Sequence, residues 1–113
     1  MKKKCVPCKL GDAPMSSKEL QSHLKELEQG WNIEKDHHLA KEYKFKNFKE
    51  ALSFVSDIGQ IADDEGHHPD LELGWGYVRV NLFTHKINGM TENDFILADK
   101  IDASHIARFG KPV

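Results

Sequence analysis

Hydrophobic residues recur every three or four positions in three segments of the chain, which is the spacing of one face of an α-helix. The pattern predicts helices over 17–29 and 48–65 and a last helix that opens at Thr91 with Asp94. A residue type that caps helix N-termini precedes each segment, and a glycine follows the first two. These cap and stop residues are Ser16, Gly30, Asn47, Gly66 and Thr91. The predicted apolar face of the second helix consists of Phe48, Ala51, Leu52, Val55, Ile58, Ile61 and Ala62.

Between the helices, apolar and polar residues alternate with the period of a half-buried β-strand. One pair of strands is predicted to begin at Trp31 and to continue over 39–45, with Asp36, His37 and His38 in a polar turn between them. A second pair lies over 71–73 and 78–83. The sequence Gly74-Trp75-Gly76 separates these two runs and predicts an antiparallel hairpin.

The order of the elements is helix, strand, strand, helix, strand, strand, helix, which predicts an α+β fold. Its four-stranded antiparallel sheet has three helices packed on one face, and the other face stays open to a flat ligand or a partner subunit. Residues 16–113 are predicted to form this single domain, and residues 1–15 a flexible tail. The last strand is predicted to point Val78, Val80 and Leu82 at the core and Tyr77, Arg79, Asn81 and Phe83 at the open face.

Composition narrows the class of protein. The 113 residues are 39% hydrophobic and 30% charged, with a formal net charge of −2. This near-balance argues against direct binding of nucleic acid or of a membrane surface, since such proteins usually carry a basic patch. No apolar run approaches the roughly 18 residues of a membrane span, and no apolar stretch follows the basic N-terminus. We therefore expect a cytoplasmic protein.

The two cysteines, Cys5 and Cys8, form a C-x-x-C pattern in the predicted tail. A structural zinc site uses four ligands, and no second pair of cysteines or histidines follows at the required spacing. We expect a reduced pair exposed to solvent. A metal clip or a redox pair is the alternative interpretation.

Histidines carry the candidate chemistry. If Gly76 is the centre of a three-residue turn, the hairpin register sets His67 opposite His85 and His68 opposite Thr84. This inference depends on the register, since a slip of one residue would weaken it. Histidine both donates and accepts protons near neutral pH, so the arrangement predicts acid–base chemistry.

The neighbourhood of His67 also favours an imidazolium ion, because the C-terminal end of the second helix carries Asp63, Asp64 and Glu65. Asp94 has two interpretations: it orients an imidazole, or it only caps the last helix. A metal site on His67, His68 and His85 is not expected, since neighbouring residues of an extended chain point to opposite faces. His37 and His38 are interpreted as turn residues, and His23 and His105 as histidines that face solvent. No dinucleotide-binding, P-loop or nucleophile-elbow motif is present. Proton transfer is therefore the chemistry for which the sequence supplies candidate residues.

The spaced histidine motif closely resembles the pterin-4a-carbinolamine dehydratase family over roughly residues 16–107. The matching positions are Gly30-Trp31, Tyr43-x-Phe45-x-Asn47-Phe48, Glu65-Gly66-His67-His68-Pro69, Tyr77-x-Arg79-Val80, Thr84-His85, Gly89-Met90-Thr91, Asp94, Leu97-Ala98 and Ile101-Asp102. The resemblance implies the same α+β fold, a homodimer or homotetramer, and no metal or organic cofactor. It implies that His67, His68 and His85 match the active-site histidines and that Asp94 matches their supporting acid.

The implied reaction is loss of water from 4a-hydroxytetrahydropterin to give quinonoid dihydropterin, which regenerates the pterin cofactor of aromatic amino acid hydroxylases. His67 and His85 are the predicted acid–base pair, with the division of roles left open, and His68 is predicted to hold the substrate. Two alternative functions remain. One is a protein-interaction module, since animal members of the family also act as a dimerisation partner of a homeodomain transcription factor. The other is a dehydratase-like protein of another pterin pathway, which would keep the site and change the substrate.

Overall fold

The computed structural model describes residues 13–110, and their order of helices and strands is the predicted one. Helix α1 spans Ser17–Leu24, α2 spans Phe48–Glu65 and α3 spans Glu92–Phe109. Strand β1 spans Asn32–Glu34, β2 His38–Lys44, β3 Asp70–Gly74 and β4 Tyr77–Leu82. A short 3₁₀-helix, His85–Ile87, follows β4. Cys5, Cys8 and most of the predicted tail lie outside the described residues. Within them, Met15 already donates a backbone hydrogen bond to the Met90 carbonyl at 2.9 Å.

The strands form one antiparallel sheet in the order β1-β2-β4-β3. Val78, Val80 and Leu82 are fully buried against the helices, as predicted from their alternation. They pair with β2 so that Leu39 lies opposite Leu82 and Tyr43 opposite Val78 on the same face. The predicted α+β fold, with three helices on one face of a four-stranded sheet, is confirmed. No helix in residues 13–110 has both the length and the apolar character needed to cross a bilayer.

The predicted register of the β3–β4 hairpin is wrong by one residue. Gly74 pairs directly with Tyr77, so the turn contains two residues, Trp75 and Gly76. A Cβ at position 74 would lie 2.0 Å from the Tyr77 ring, so glycine lets this ring pack over the strand end. The ladder ends at Asp70 opposite Asn81, so the expected cross-strand pairing of His67 with His85 does not occur.

Helix α1 is shorter than the predicted 17–29. The capping box of Ser16 and Glu19 forms as predicted, but beyond Leu24 the backbone changes to tighter turn hydrogen bonds. Glu26 and Glu28 lie in this segment, where the negative end of the helix dipole disfavours acidic side chains.

Helix α2 has the predicted bounds. The Asn47 side chain accepts a hydrogen bond from the Glu50 N–H at 2.9 Å, and Gly66 ends the helix in the left-handed conformation. Its buried face was only partly predicted: Phe54 lies in the core, whereas Phe48 and Leu52 are exposed. Two apolar side chains of α2 therefore face away from the sheet.

Candidate active site

The end of α2 sets the direction of His67. Gly66 has φ 65° and ψ 26°, a left-handed conformation that ends the helix without steric cost. The His67 N–H then donates to the Ala62 carbonyl at 3.2 Å. This closing turn directs the His67 side chain toward the start of α3.

His67 meets a buried carboxylate there. Its Nε2 lies 2.6 Å from Oδ1 of Asp94, which is fully buried, while 11% of the His67 side chain is exposed. The second oxygen, Oδ2 of Asp94, accepts from the Thr91 N–H at 3.0 Å and from the Thr84 hydroxyl at 3.0 Å. Asp94 thus makes both contacts considered from the sequence: one oxygen caps α3 and the other holds an imidazole.

This contact fixes which nitrogen of His67 is available to a ligand. A neutral imidazole donates from one nitrogen and accepts at the other. Because the carboxylate accepts from Nε2–H, Nδ1 is left as the proton acceptor. The pair resembles a histidine–aspartate dyad, in which the carboxylate orients the ring and offsets the charge that a captured proton brings.

His85 lies close to Asp94 because it follows Thr84 in the sequence. Thr84 donates its hydroxyl to Asp94, and its backbone pairs with Gly89 to close a small loop. His85 follows directly, with 54% of its side chain exposed and its ring against Phe83 at a centroid distance of 4.1 Å. Its Nε2 lies 3.4 Å from Oδ1 of Asp70. The segments of His67 and His85 are therefore connected through Asp94 and Thr84 and not by a cross-strand pair.

His68 points away from His67. Its Nε2 lies 2.9 Å from Oδ1 of Asp63, and both side chains are mostly exposed. This opposite orientation is expected of neighbouring residues in extended backbone before Pro69. In the part of the chain that the structure describes, no three histidine, cysteine, aspartate or glutamate side chains form a group that could hold a metal ion.

Two interpretations of histidines outside the motif are corrected. His105 does not face solvent freely; its ring packs against Tyr43 and Phe54 at centroid distances of 4.8 and 5.2 Å. His38 is not a turn residue, since it begins β2. His37 lies in the turn as predicted, and its Nε2 also lies 2.8 Å from Oδ1 of Asn88. Neither contact leaves a signal in the local pattern, because the partners are distant in sequence.

The chain is similar to several known proteins. A bacterial protein from Alkaliphilus metalliredigens is 55% identical over 100 residues, covering 88% of this chain and 90% of the relative. Another from Rickettsia canadensis is 50% identical over 101 residues, covering 89% and 93%. Both carry the provisional name pterin-4-alpha-carbinolamine dehydratase.

Two solved structures share the fold. A Brucella melitensis protein described as a transcriptional coactivator/pterin dehydratase has a TM-score of 0.74 at 30% identity, covering 80% of this chain and 97% of that one. A pterin dehydratase-like protein, described as a RuBisCO assembly factor in the alpha-carboxysome, has a TM-score of 0.58 at 21% identity, covering 66% and 88%, a likeness of fold alone. The family model for pterin 4 alpha carbinolamine dehydratase matches residues 13–104. This chain belongs to the pterin-4α-carbinolamine dehydratase family.

Proposed function

We propose that this protein removes water from a 4a-hydroxytetrahydropterin and releases a quinonoid dihydropterin. The proposal depends on one observation, the hydrogen bond between His67 and Asp94. It is 2.6 Å long, largely inaccessible to solvent, and close to the segment that carries His85. The relatives' provisional names support the same reaction class.

The reaction needs one acid and one base. The C4a–O bond breaks, and the leaving oxygen takes a proton to depart as water. The N5–H bond gives its proton to a base, and its electron pair forms the C4a=N5 double bond. The electrons stay within the pterin, so the step consists of proton transfers and the loss of water.

We assign the base to His67 and the acid to His85. When Nδ1 of His67 takes the N5 proton, the buried Asp94 carboxylate offsets the new positive charge. His85 is accessible to a substrate oxygen and lies near the Asp70 carboxylate. His68, on the exposed side of the same segment, is assigned to binding the pterin.

The test is stopped-flow measurement of the decay of 4a-hydroxytetrahydropterin. We expect His67→Ala and His85→Ala each to lower the dehydration rate by about 10²–10⁴-fold, the usual span for a lost acid or base. His105→Phe is the matched control, since it removes an imidazole eleven residues beyond Asp94, about 16 Å along α3. It should keep the wild-type rate.

Unchanged rates in both folded variants would contradict the assignment. A wild-type chain that does not accelerate the decay would instead favour a protein-interaction role, which does not need the histidines. The proposal also places the enzyme in the cytoplasm, where it recycles the pterin cofactor of aromatic amino acid hydroxylases. Restored turnover of such a hydroxylase when the protein is added would support this narrower role, and its absence would count against it.

We further propose that the protein forms a homodimer or homotetramer. Phe48 and Leu52 lie four residues apart on α2, and both are exposed. This spacing puts them on one side of the helix, where a second copy would bury them. Sedimentation velocity at micromolar concentration should show a dimer or tetramer that Leu52→Glu weakens; a strict monomer would rule out the proposal.

A further inference from the structure

Three aromatic rings in contact connect the β1–β2 turn to His85. The His37 ring packs on Phe83 at a centroid distance of 4.6 Å, and Phe83 packs on His85 at 4.1 Å. Phe83 lies between Leu82, the last residue of β4, and Thr84, which pairs with Gly89. The orientation of the His85 ring thus depends on a stack whose outer ring is His37.

His37 also holds the other end of the His85 segment. Its Nε2 lies 2.8 Å from Oδ1 of Asn88, the residue that ends the 3₁₀-helix and whose N–H donates to the His85 carbonyl. The second nitrogen of His37 lies 3.2 Å from Nδ1 of His38. Both nitrogens of His37 therefore have partners, which fixes the plane of the ring against Phe83.

The backbone around this contact is strained. Lys35, Asp36 and Asn88, with φ of 56°, 52° and 51°, are the residues other than glycine that have positive φ between positions 13 and 110. Side chains disfavour this conformation, and it persists where the surrounding contacts enforce it. Two of the three precede His37 directly, and the third is its hydrogen-bond partner.

The β1–β2 turn is itself anchored. The His37 N–H donates to the Glu34 carbonyl at 2.9 Å, and the Ser17 hydroxyl donates to Oδ2 of Asp36 at 2.5 Å. His85, in contrast, is more than half exposed, and its nearest carboxylate oxygen lies 3.4 Å away. An exposed imidazole held by one long polar contact changes rotamer readily. The ring contacts through Phe83 and the hydrogen bond between His37 and Asn88 are further contacts that can restrain the His85 ring.

We propose that His37 is a positioning residue for His85: it holds the His85 ring through Phe83 and holds the His85 loop through Asn88. The consequence for catalysis rests on the proposed dehydratase function, in which His85 donates the proton. A small misplacement of such a group lowers the rate strongly.

The test separates the two contacts of His37. His37→Ala removes both and should lower kcat about tenfold while KM changes less than about twofold. His37→Phe keeps the ring on Phe83 but loses the hydrogen bond, and Asn88→Gly loses the same bond while tolerating the left-handed backbone. Each should lower kcat by about threefold, and the double variant should lose no more than either alone, because both remove one interaction. Lys35→Gly is the control: it relaxes the turn, leaves the contacts of His37 in place and should keep the wild-type kcat.

A second measurement does not depend on activity. In ¹H–¹⁵N spectra of the imidazoles, the His85 ring signals should shift in His37→Ala and stay in place in Lys35→Gly. Unmoved His85 signals in folded His37→Ala, or an equal loss of kcat in Lys35→Gly, would overturn the proposal. If the signals shift as expected but the wild type does not dehydrate the pterin, the positioning role stands and the proposed function fails.

Discussion

Asp94 contacts both the start of α3 and the proposed catalytic imidazole. Its Oδ2 accepts from the Thr91 N–H and the Thr84 hydroxyl, and its Oδ1 holds His67. The capping contact supports α3, while the imidazole contact selects the tautomer of His67. The two tasks can therefore be separated by a substitution that changes only one oxygen.

Asp94→Asn should separate activity from stability. The amide oxygen can keep the cap, but the amide N–H would face Nε2 of His67 and force the proton onto Nδ1. We expect the dehydration rate to fall about a hundredfold or more, as for a catalytic histidine in the wrong tautomer. The free energy of unfolding should fall by no more than about 1 kcal/mol, while Asp94→Ala should lose both functions. Stopped-flow rates, urea unfolding and the His67 ring ¹⁵N shifts measure the three effects; an active Asp94→Asn would contradict the tautomer argument.

The sequence indicates candidate residues but does not identify which distant residues are in contact. His67 and Asp94 were both candidates, yet their hydrogen bond joins positions 27 residues apart in different elements. His37 and Asn88 are 51 residues apart, and nothing in the pattern around either residue indicates the other. Periodicity and capping report on local backbone and on burial, so they select candidates without pairing them.

At the scale of elements, the limits of α2 followed from capping chemistry, whereas the end of α1 and the hairpin register did not. Helix α2 has its predicted bounds because Asn47 and Gly66 act locally. The register depended on whether Gly74 pairs or turns. In the structure Gly74 pairs with Tyr77, and the Tyr77 ring packs over the glycine. That packing is a tertiary contact, and counting the residues of the turn does not predict it.

Two glycines of α2 should respond to alanine with opposite signs. Gly66 is left-handed, and a Cβ there would meet no atom within 4 Å, so the cost of Gly66→Ala is the backbone conformation alone. We expect it to lower the free energy of unfolding by about 1 kcal/mol. Gly59 lies inside the helix with equally open surroundings, and Gly59→Ala should raise it by about 0.5–1 kcal/mol. Urea denaturation of both variants tests this, and equal signs would contradict the role of Gly66 as the helix stop.

For the whole molecule, the core contains a charged cluster that the hydrophobic pattern does not indicate. Asp102 is buried and accepts from Trp31 Nε1 at 2.7 Å, Lys41 Nζ at 2.7 Å and Tyr43 OH at 2.5 Å. Burial, followed by the nearby Asp102 charge, raises the pKa of Tyr43 far above its usual range. The cluster joins α3 to the sheet, and a buried charge of this kind is retained only with its partners in place.

His105, whose ring packs against Tyr43 of this cluster, makes stability depend on pH. Burial among aromatic rings, and to a smaller extent the Lys41 ammonium, lowers the pKa of His105 below its ordinary value of 6.5, while Asp102 acts in the opposite direction. The unfolded chain therefore binds this proton at a higher pH than the folded chain does. As pH falls from about 7.5 through about 6.5, the unfolded chain binds this proton first, and the free energy of unfolding decreases. At pH well above about 7.5 His105 contributes no slope.

His105→Phe should remove this part of the pH dependence and keep the aromatic packing against Phe54. Relative to the wild type, its free energy of unfolding should rise progressively as pH is lowered from about 7.5 to about 5, the range in which histidine titrates. Phe45→Leu alters a ring that also contacts His105 but carries no proton, so its curve should lie below that of the wild type by a nearly constant amount. Urea unfolding across this pH range measures all three proteins. Parallel curves for His105→Phe and the wild type would show that His105 titrates alike in the folded and unfolded chains, against the burial seen in the structure.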